Sequence, residues 1–186
     1  MKFFWLVAIV SITVSSALDG LYYQIYSDAF AYQEMQNQMS CVTAIFDQTQ
    51  SKRGYYMFSG YRKEEQTISK YRGVLLPRDQ NCYTMRPSTV HVQNSTNAEQ
   101  QICLFSVQGN RNYLVATNGA LKRTFILSRL QPDPHFPSLH DLEFLSINDT
   151  IFDYQLPMNL VRTNHSGCFF YPPKDIDYIL KKTSGP

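Results

Sequence analysis

Four cysteines, Cys41, Cys82, Cys103 and Cys168, are the residues of this chain best equipped for chemistry. No two lie close enough to form a Cys-x-x-Cys metal or redox motif. An even set of cysteines in an exported chain implies two disulfides, and spacing alone allows three pairings. The histidines, His91, His135, His140 and His165, have no spacing that suggests a metal site. His135 sits among prolines and His165 within a glycan-acceptor motif, which predicts surface positions for both. No Gly-x-Ser-x-Gly, His-Glu-x-x-His or glycine-rich phosphate loop occurs, so neither an enzyme nor a bound cofactor or metal is expected. Three sequons begin at Asn94, Asn148 and Asn164. One or two of them are expected to carry sugar, each marking an exposed position.

The chain around these residues begins with Met1-Lys2, an apolar run from Phe3 to Val10, and small residues to Ser16. That pattern reads as a secretory signal peptide over residues 1–17, with Ser15-x-Ala17 as its cleavage site. The run is too short, and its far flank too polar, for a transmembrane helix. The remainder is expected to be one soluble extracellular domain, followed by a tail over 169–186 whose apolar residues show no turn or cap logic. The formal charge is only +2, and cleavage removes Lys2, so there is no electrostatic case for nucleic acid or anionic membrane. Thirteen Tyr and twelve Phe are spread along the chain, while the one Trp, Trp5, lies in the leader.

Alternation at a period of two predicts eight short strands. The first is Gly20 to Tyr26, followed by Cys41–Asp47, Gly54–Ser59 and Thr67–Leu76, the last stopped by Pro77. An irregular connection over 78–85 carries Cys82 and leads to a fifth strand, Ser88–Val92. Strands over 102–107, 113–117 and 122–129 complete the set, the last two joined at Asn118-Gly119, the strongest hairpin signal present. With no helical pattern between them, these strands predict an antiparallel barrel or sandwich. After Pro132, Pro134 and Pro137, Ser138 is placed to cap a helix running to about Asn148, with Leu139, Leu142 and Leu145 along one face. A last extended piece covers 156–168.

Four segments, in order, resemble the lipocalin family. Gly20-Leu21-Tyr22-Tyr23-Gln24-Ile25 is similar to its Gly-x-Trp-Tyr-x-Ile opening, with Tyr22 where the family usually has Trp. Tyr71 to Pro77 resembles the fourth-strand segment that carries a glycine and ends in proline. Phe125-Ile126-Leu127-Ser128-Arg129 resembles the eighth-strand motif, and Leu160 to Cys168 the C-terminal segment of the apolipoprotein D and insect bilin-binding branch. The resemblance implies an eight-stranded up-and-down barrel over 18–168 with one C-terminal helix and a short final strand. It also implies a Cys41–Cys168 bond, leaving Cys82 to Cys103. Gly20, Tyr22 and Arg129 take structural roles, the guanidinium laid over the tyrosine face at the closed end.

An eight-stranded barrel is just wide enough to hold one small ligand. Alternation from Tyr22 sends Gln24 and Tyr26 inward. Counting back from Arg129 does the same for Leu127, Phe125 and Arg123, while the family branch implies Ala44 and Phe46. Tyr113, Val115 and Thr117 are assigned to the inner wall of the seventh strand. This lining, apolar and aromatic with a few hydroxyls, suits a lipid, sterol, retinoid-like compound or tetrapyrrole, and the expected activity is its carriage. An amine carrier would need carboxylates in the cup, and none falls on the inward set. The alternative is a secreted interaction protein whose barrel is a scaffold for a protein partner. A cell-surface receptor or a lipid particle is the partner class open to such a protein.

Overall fold

The computed structural model describes residues 18–29, 40–50, 53–62, 66–79, 81–87, 100–118, 123–132, 141–168 and 170. The expected leader, Asn94, the fifth strand expected at Ser88–Val92, His91, His135, His140, the Ser138 cap and nearly all of the tail lie outside them. Eight antiparallel strands close into a barrel: β1 (Gly20–Asp28), β2 (Ser40–Gln50), β3 (Arg53–Arg62), β4 (Thr67–Asp79), β5 (Cys82–Pro87), β6 (Gln100–Val107), β7 (Asn110–Asn118) and β8 (Arg123–Ser128). Helix α1 (Asp141–Asp153) and a three-residue strand β9 (Leu160–Arg162) follow. Among the described residues, no helix is long and apolar enough to cross a membrane.

β1 closes the barrel by changing partners along its length. Its first half pairs with β2, from Gly20 opposite Phe46 to Tyr23 opposite Thr43. Its second half pairs with β9, from Tyr26 opposite Arg162 to Asp28 opposite Leu160. Its other edge runs along β8, from Tyr23 opposite Ser128 to Ser27 opposite Phe125. The β2–β3, β4–β5 and β6–β7 connections are short and share one end with Gly20, while the longer connections over 29–39, 88–99 and 119–122 share the other.

The fifth strand differs from expectation. It occupies Cys82–Pro87, the stretch read as an irregular connection, and β4 continues through Pro77 to Asp79. A proline stops a strand only where its absent N–H is needed. Pairing of β4 with β3 ends at Leu75, so Pro77 has only β5 beside it, with Tyr83 opposite.

The helix also differs. It extends to Asp153 and buries Ile147, Thr150 and Ile151, whereas Leu145, expected on the packed face, is 55% exposed. Both faces of β6, β7 and β8 are therefore apolar. One looks into the barrel, and the other packs Phe105, Tyr113, Val115 and Ile126 against Ile147 and Ile151. Tyr113 also meets the Glu143 carboxylate of α1. Burial first, and that negative charge second, push its phenol up to about 12.

Candidate functional site: the barrel interior

The floor of the barrel is a solid plug. Leu18, Tyr22, Ala44, Phe46, Leu75, Leu104, Leu114, Ala116 and Leu127 form one cluster, with Tyr22 and Phe46 each 0% exposed. Phe46 tilts against Tyr22 and meets Phe58 edge-on at 5.9 Å. Below Tyr22, the Arg129 guanidinium lies 4.9 Å from the ring centroid. Burial raises the Tyr22 phenol, and the Arg129 charge partly offsets it. Gly20 sits at φ +128°, and a Cβ there would stand 3.5 Å from Nη1 of Arg129. The glycine gives the backbone a conformation that L side chains rarely adopt.

Next to the floor cluster the packing loosens. Phe58, Tyr83, Met85 and Phe125 pack against the interior cluster but are only partly buried. Phe58 stands opposite Ala44, Phe125 opposite Ala116, Met85 opposite Leu75 and Tyr83 opposite Ile102. On β3, Phe58 lies one inward step nearer the long-loop end than Tyr56, and on β8, Phe125 is likewise one step beyond Leu127. On these two strands the partly buried residue lies on the long-loop side of the sealed one, whereas Met85 stands level with sealed Leu75 and Tyr83 lies a step nearer the short-loop end.

Several expected lining residues are elsewhere. Ala44, Phe46, Phe125 and Leu127 face inward, the first two and Leu127 within the sealed floor. Gln24 also faces inward, level with Leu127, but is buried in the wall with Nε2 donating to Oγ1 of Thr163 at 3.4 Å. Tyr26 is corrected to the outer face. A β-bulge at Ile25 makes Gln24 oppose Leu127 and Tyr26 oppose Ile126, which reverses the alternation.

Tyr113, Val115 and Thr117 are also outward. Val115 pairs with Ile126 and Thr117 with Thr124, while Leu114 and Ala116 supply the inner wall. The signal for this was present. A hairpin loop with an even number of residues around Asn118-Gly119 pairs each odd-numbered residue of one strand with an even-numbered residue of the other, so inward Phe125 and Leu127 demand even-numbered partners on β7.

Both disulfides implied by the family resemblance are present. Cys82 and Cys103 stand directly opposite each other on β5 and β6, and Cys41 of β2 is joined to Cys168 beyond β9. Of the sequons, Asn148 is half-buried on α1, and Asn164 is exposed, its Oδ1 accepting from the Ser166 N–H at 2.9 Å.

His165 is corrected from surface to interior. It is buried, with Nε2 2.7 Å from the carbonyl oxygen of Gln24. A carbonyl only accepts, so Nε2 carries the proton. Nδ1 lies 4.0 Å from Sγ of Cys168, and the ring is 5.5 Å from that of Phe170, which also packs on Tyr23. Burial lowers the imidazole pKa. The Gln24 hydrogen bond opposes that shift, and the Arg162 charge adds to it. A histidine whose pKa is lower folded than unfolded contributes stability above its unfolded value of about 6.5, and that contribution is lost as pH falls through the window below it. Denaturation midpoints are therefore expected to fall as pH drops below about 6.5, with the slope reduced in His165→Gln. Equal slopes in the two proteins would remove His165 from the account.

No family model matches the chain, and no curated protein matches it. Solved structures do. A biogenic amine-binding protein shares 13% identity over 88% of each chain, with a TM-score of 0.57. The Per a 4 allergen from cockroaches shares 10% over 80% of this chain and 85% of its own, at 0.55. Siderocalin Q83 shares 10% over 85% and 96%, at 0.52. This is the lipocalin fold. At such identities the likeness is one of architecture.

Proposed function

We propose that the protein carries one small hydrophobic molecule in the outer part of its barrel, against Phe58 and Phe125. The supporting observation is a grading on two strands: Tyr56 of β3 and Leu127 of β8 are buried, while Phe58 and Phe125, one inward step nearer the long loops, are only partly buried. Burying that surface and the ligand's together is favourable at about 25 cal/mol per Å². Lipid, sterol, retinoid-like and tetrapyrrole ligands all satisfy this condition. The leader read from residues 1–17 and the two disulfides support export to an oxidising compartment. The biogenic amines named for one structural neighbour do not suit this wall, because no carboxylate stands at the inward positions above the floor among the described residues.

Displacement of an environment-sensitive hydrophobic probe tests the proposal, and the mature chain's lack of Trp keeps the background low. The wild type is expected to bind the probe and release it to at least one member of a fatty-acid, sterol, retinoid and bilin panel. Truncating both Phe58 and Phe125 to Ala weakens binding at least tenfold, since the loss of only two methylene-sized contacts at ~0.8 kcal/mol each already amounts to that. A protein that binds no probe and shows only its apo mass in native mass spectrometry refutes carriage. That result would favour the scaffold reading, supported by Leu145 and Phe152, which stand 55% and 80% exposed on α1.

A further inference from the structure

We propose that Asn148 carries an N-linked glycan whose first sugar covers an apolar stripe on α1. The proposal stands apart from carriage and rests only on the export inferred above. Helix α1 has two apolar sides. Ile147 and Ile151 are buried against the barrel wall. Phe144, Leu145 and Phe152, away from that wall, are 44%, 55% and 80% exposed. Single exposed apolar residues are ordinary, but three large ones gathered on one helix make a patch, and such patches mark contact with something.

The sequence supplies a cover in place. Asn148 opens the sequon Asn148-Asp149-Thr150. Residues four apart share a row on a helix surface, so Phe144 and Phe152 flank Asn148, each about 6 Å away along the axis. Helix side chains lean toward the N-terminus, which brings the Phe152 ring back toward Asn148. Asn148 is half-buried, on the shoulder between the packed side and the bare one. A sugar ring has a face of C–H groups and a rim of hydroxyls, so it can lie on a phenyl ring and keep its rim in water. Being tethered, it has little freedom left to lose, and a weak contact seats it. A protein docked on the same stripe would instead strip water from the Asn148 amide at its centre.

Thr150 fixes the order of events. It is buried, and its hydroxyl donates to the Ser146 carbonyl at 3.0 Å, so folded α1 closes the sequon to a transferase. Transfer therefore precedes helix formation. Nδ2 of Asn148 gives up a proton and bonds to the anomeric carbon of a lipid diphosphate-linked oligosaccharide. The bond from that carbon to the diphosphate oxygen breaks, and the lipid diphosphate leaves with its electron pair.

The test expresses the full chain in a eukaryotic cell and treats the secreted protein with an amidase that turns each glycosylated Asn into Asp. Aspartate at position 148 in the peptide map is the expected result. The contact is read as coupling in thermal unfolding. Phe152→Ala should lower the midpoint of the glycosylated protein by about 3 °C, the scale of one ring contact in a chain of this length. The same change in Asn148→Gln should leave the midpoint where it was. Trimming the glycan to its first sugar should preserve the effect of Phe152→Ala. An unmodified Asn148 in the secreted protein leaves the stripe to a protein partner and overturns the proposal. An equal effect of Phe152→Ala with and without the glycan overturns the contact. A chain that is never secreted removes export and glycan together. Probe binding in the cup is read separately, so carriage stands or falls on its own.

Discussion

Replacing Cys41 and Cys168 together by serine is expected to lower the stability of the protein by about 3–4 kcal/mol, a fall in thermal midpoint of roughly 10 °C for a chain of this length. The bond closes a loop of 127 residues that includes most of the barrel. A cross-link restricts the unfolded chain more strongly the longer the loop it closes. The Cys82–Cys103 bond spans only 21 residues, on strands that the ladder already holds side by side. The logarithmic dependence on loop length makes its loss smaller by about 1.5 kcal/mol. Denaturant unfolding of the two double-serine variants gives the order directly. An equal or reversed order would show that local geometry, rather than loop length, governs both bonds.

Gly73→Ala should be comparably damaging, although it adds a single methyl group. A Cβ at this position would collide with the backbone carbonyl oxygen of Arg86 and stand 2.8 Å from both Cε1 and the hydroxyl oxygen of Tyr56. The tyrosine ring lies across the glycine and could turn aside. The carbonyl belongs to β5, whose residues Arg86 and Pro87 are in register with Val74 and Gly73, and it can shift only by disturbing that pairing. Overpacking of this kind costs about 3 kcal/mol. Gly109→Ala is the control. Its Cβ meets nothing within 4 Å, and only the positive φ of 75° opposes it, worth roughly 1 kcal/mol. If the two substitutions cost the same in urea unfolding, the close approach at Gly73 is not what requires glycine there.

The architecture was legible because it rests on local signals: alternation and turn residues each act within a few positions. The end seal was legible as well, since Tyr22 and Arg129 occupy recognisable segments, and Arg129 does lie over the Tyr22 ring. The cup was less so. Apolarity identifies an inward face only when the other face meets water, and on β7 both are buried, one in the barrel and one under α1. Tyr113 and Val115 therefore looked as inward as Leu114 and Ala116. Tyr26 was misread for a different reason. The bulge at Ile25 inserts one residue and inverts everything after it, and an isoleucine among aromatics gives no sign of it. The strand over 82–87 was hidden by Pro77, whose tolerance depends on where β3 stops, a fact of pairing rather than of composition. His165 lay within a sequon, yet the segment after β9 folds back onto β1 and buries it.

The change of partner along β1 has a mechanical meaning. A complete tube resists being squeezed oval, because hoop stress is carried all the way around its wall. A tube slit from one rim opens along the cut. Here β1 and β2 are in register over four residue pairs, and beyond them β1 turns to β9 instead. The wall is thus slit on the side that runs toward the long loops. Cys41 lies on β2, and Cys168 follows β9, so their bond is a rivet across the slit. It limits how far the rim gapes while leaving the backbone ladders below it undisturbed. Compliance is concentrated at one seam, and the girth of the mouth is set by covalent chemistry rather than by hydrogen bonds.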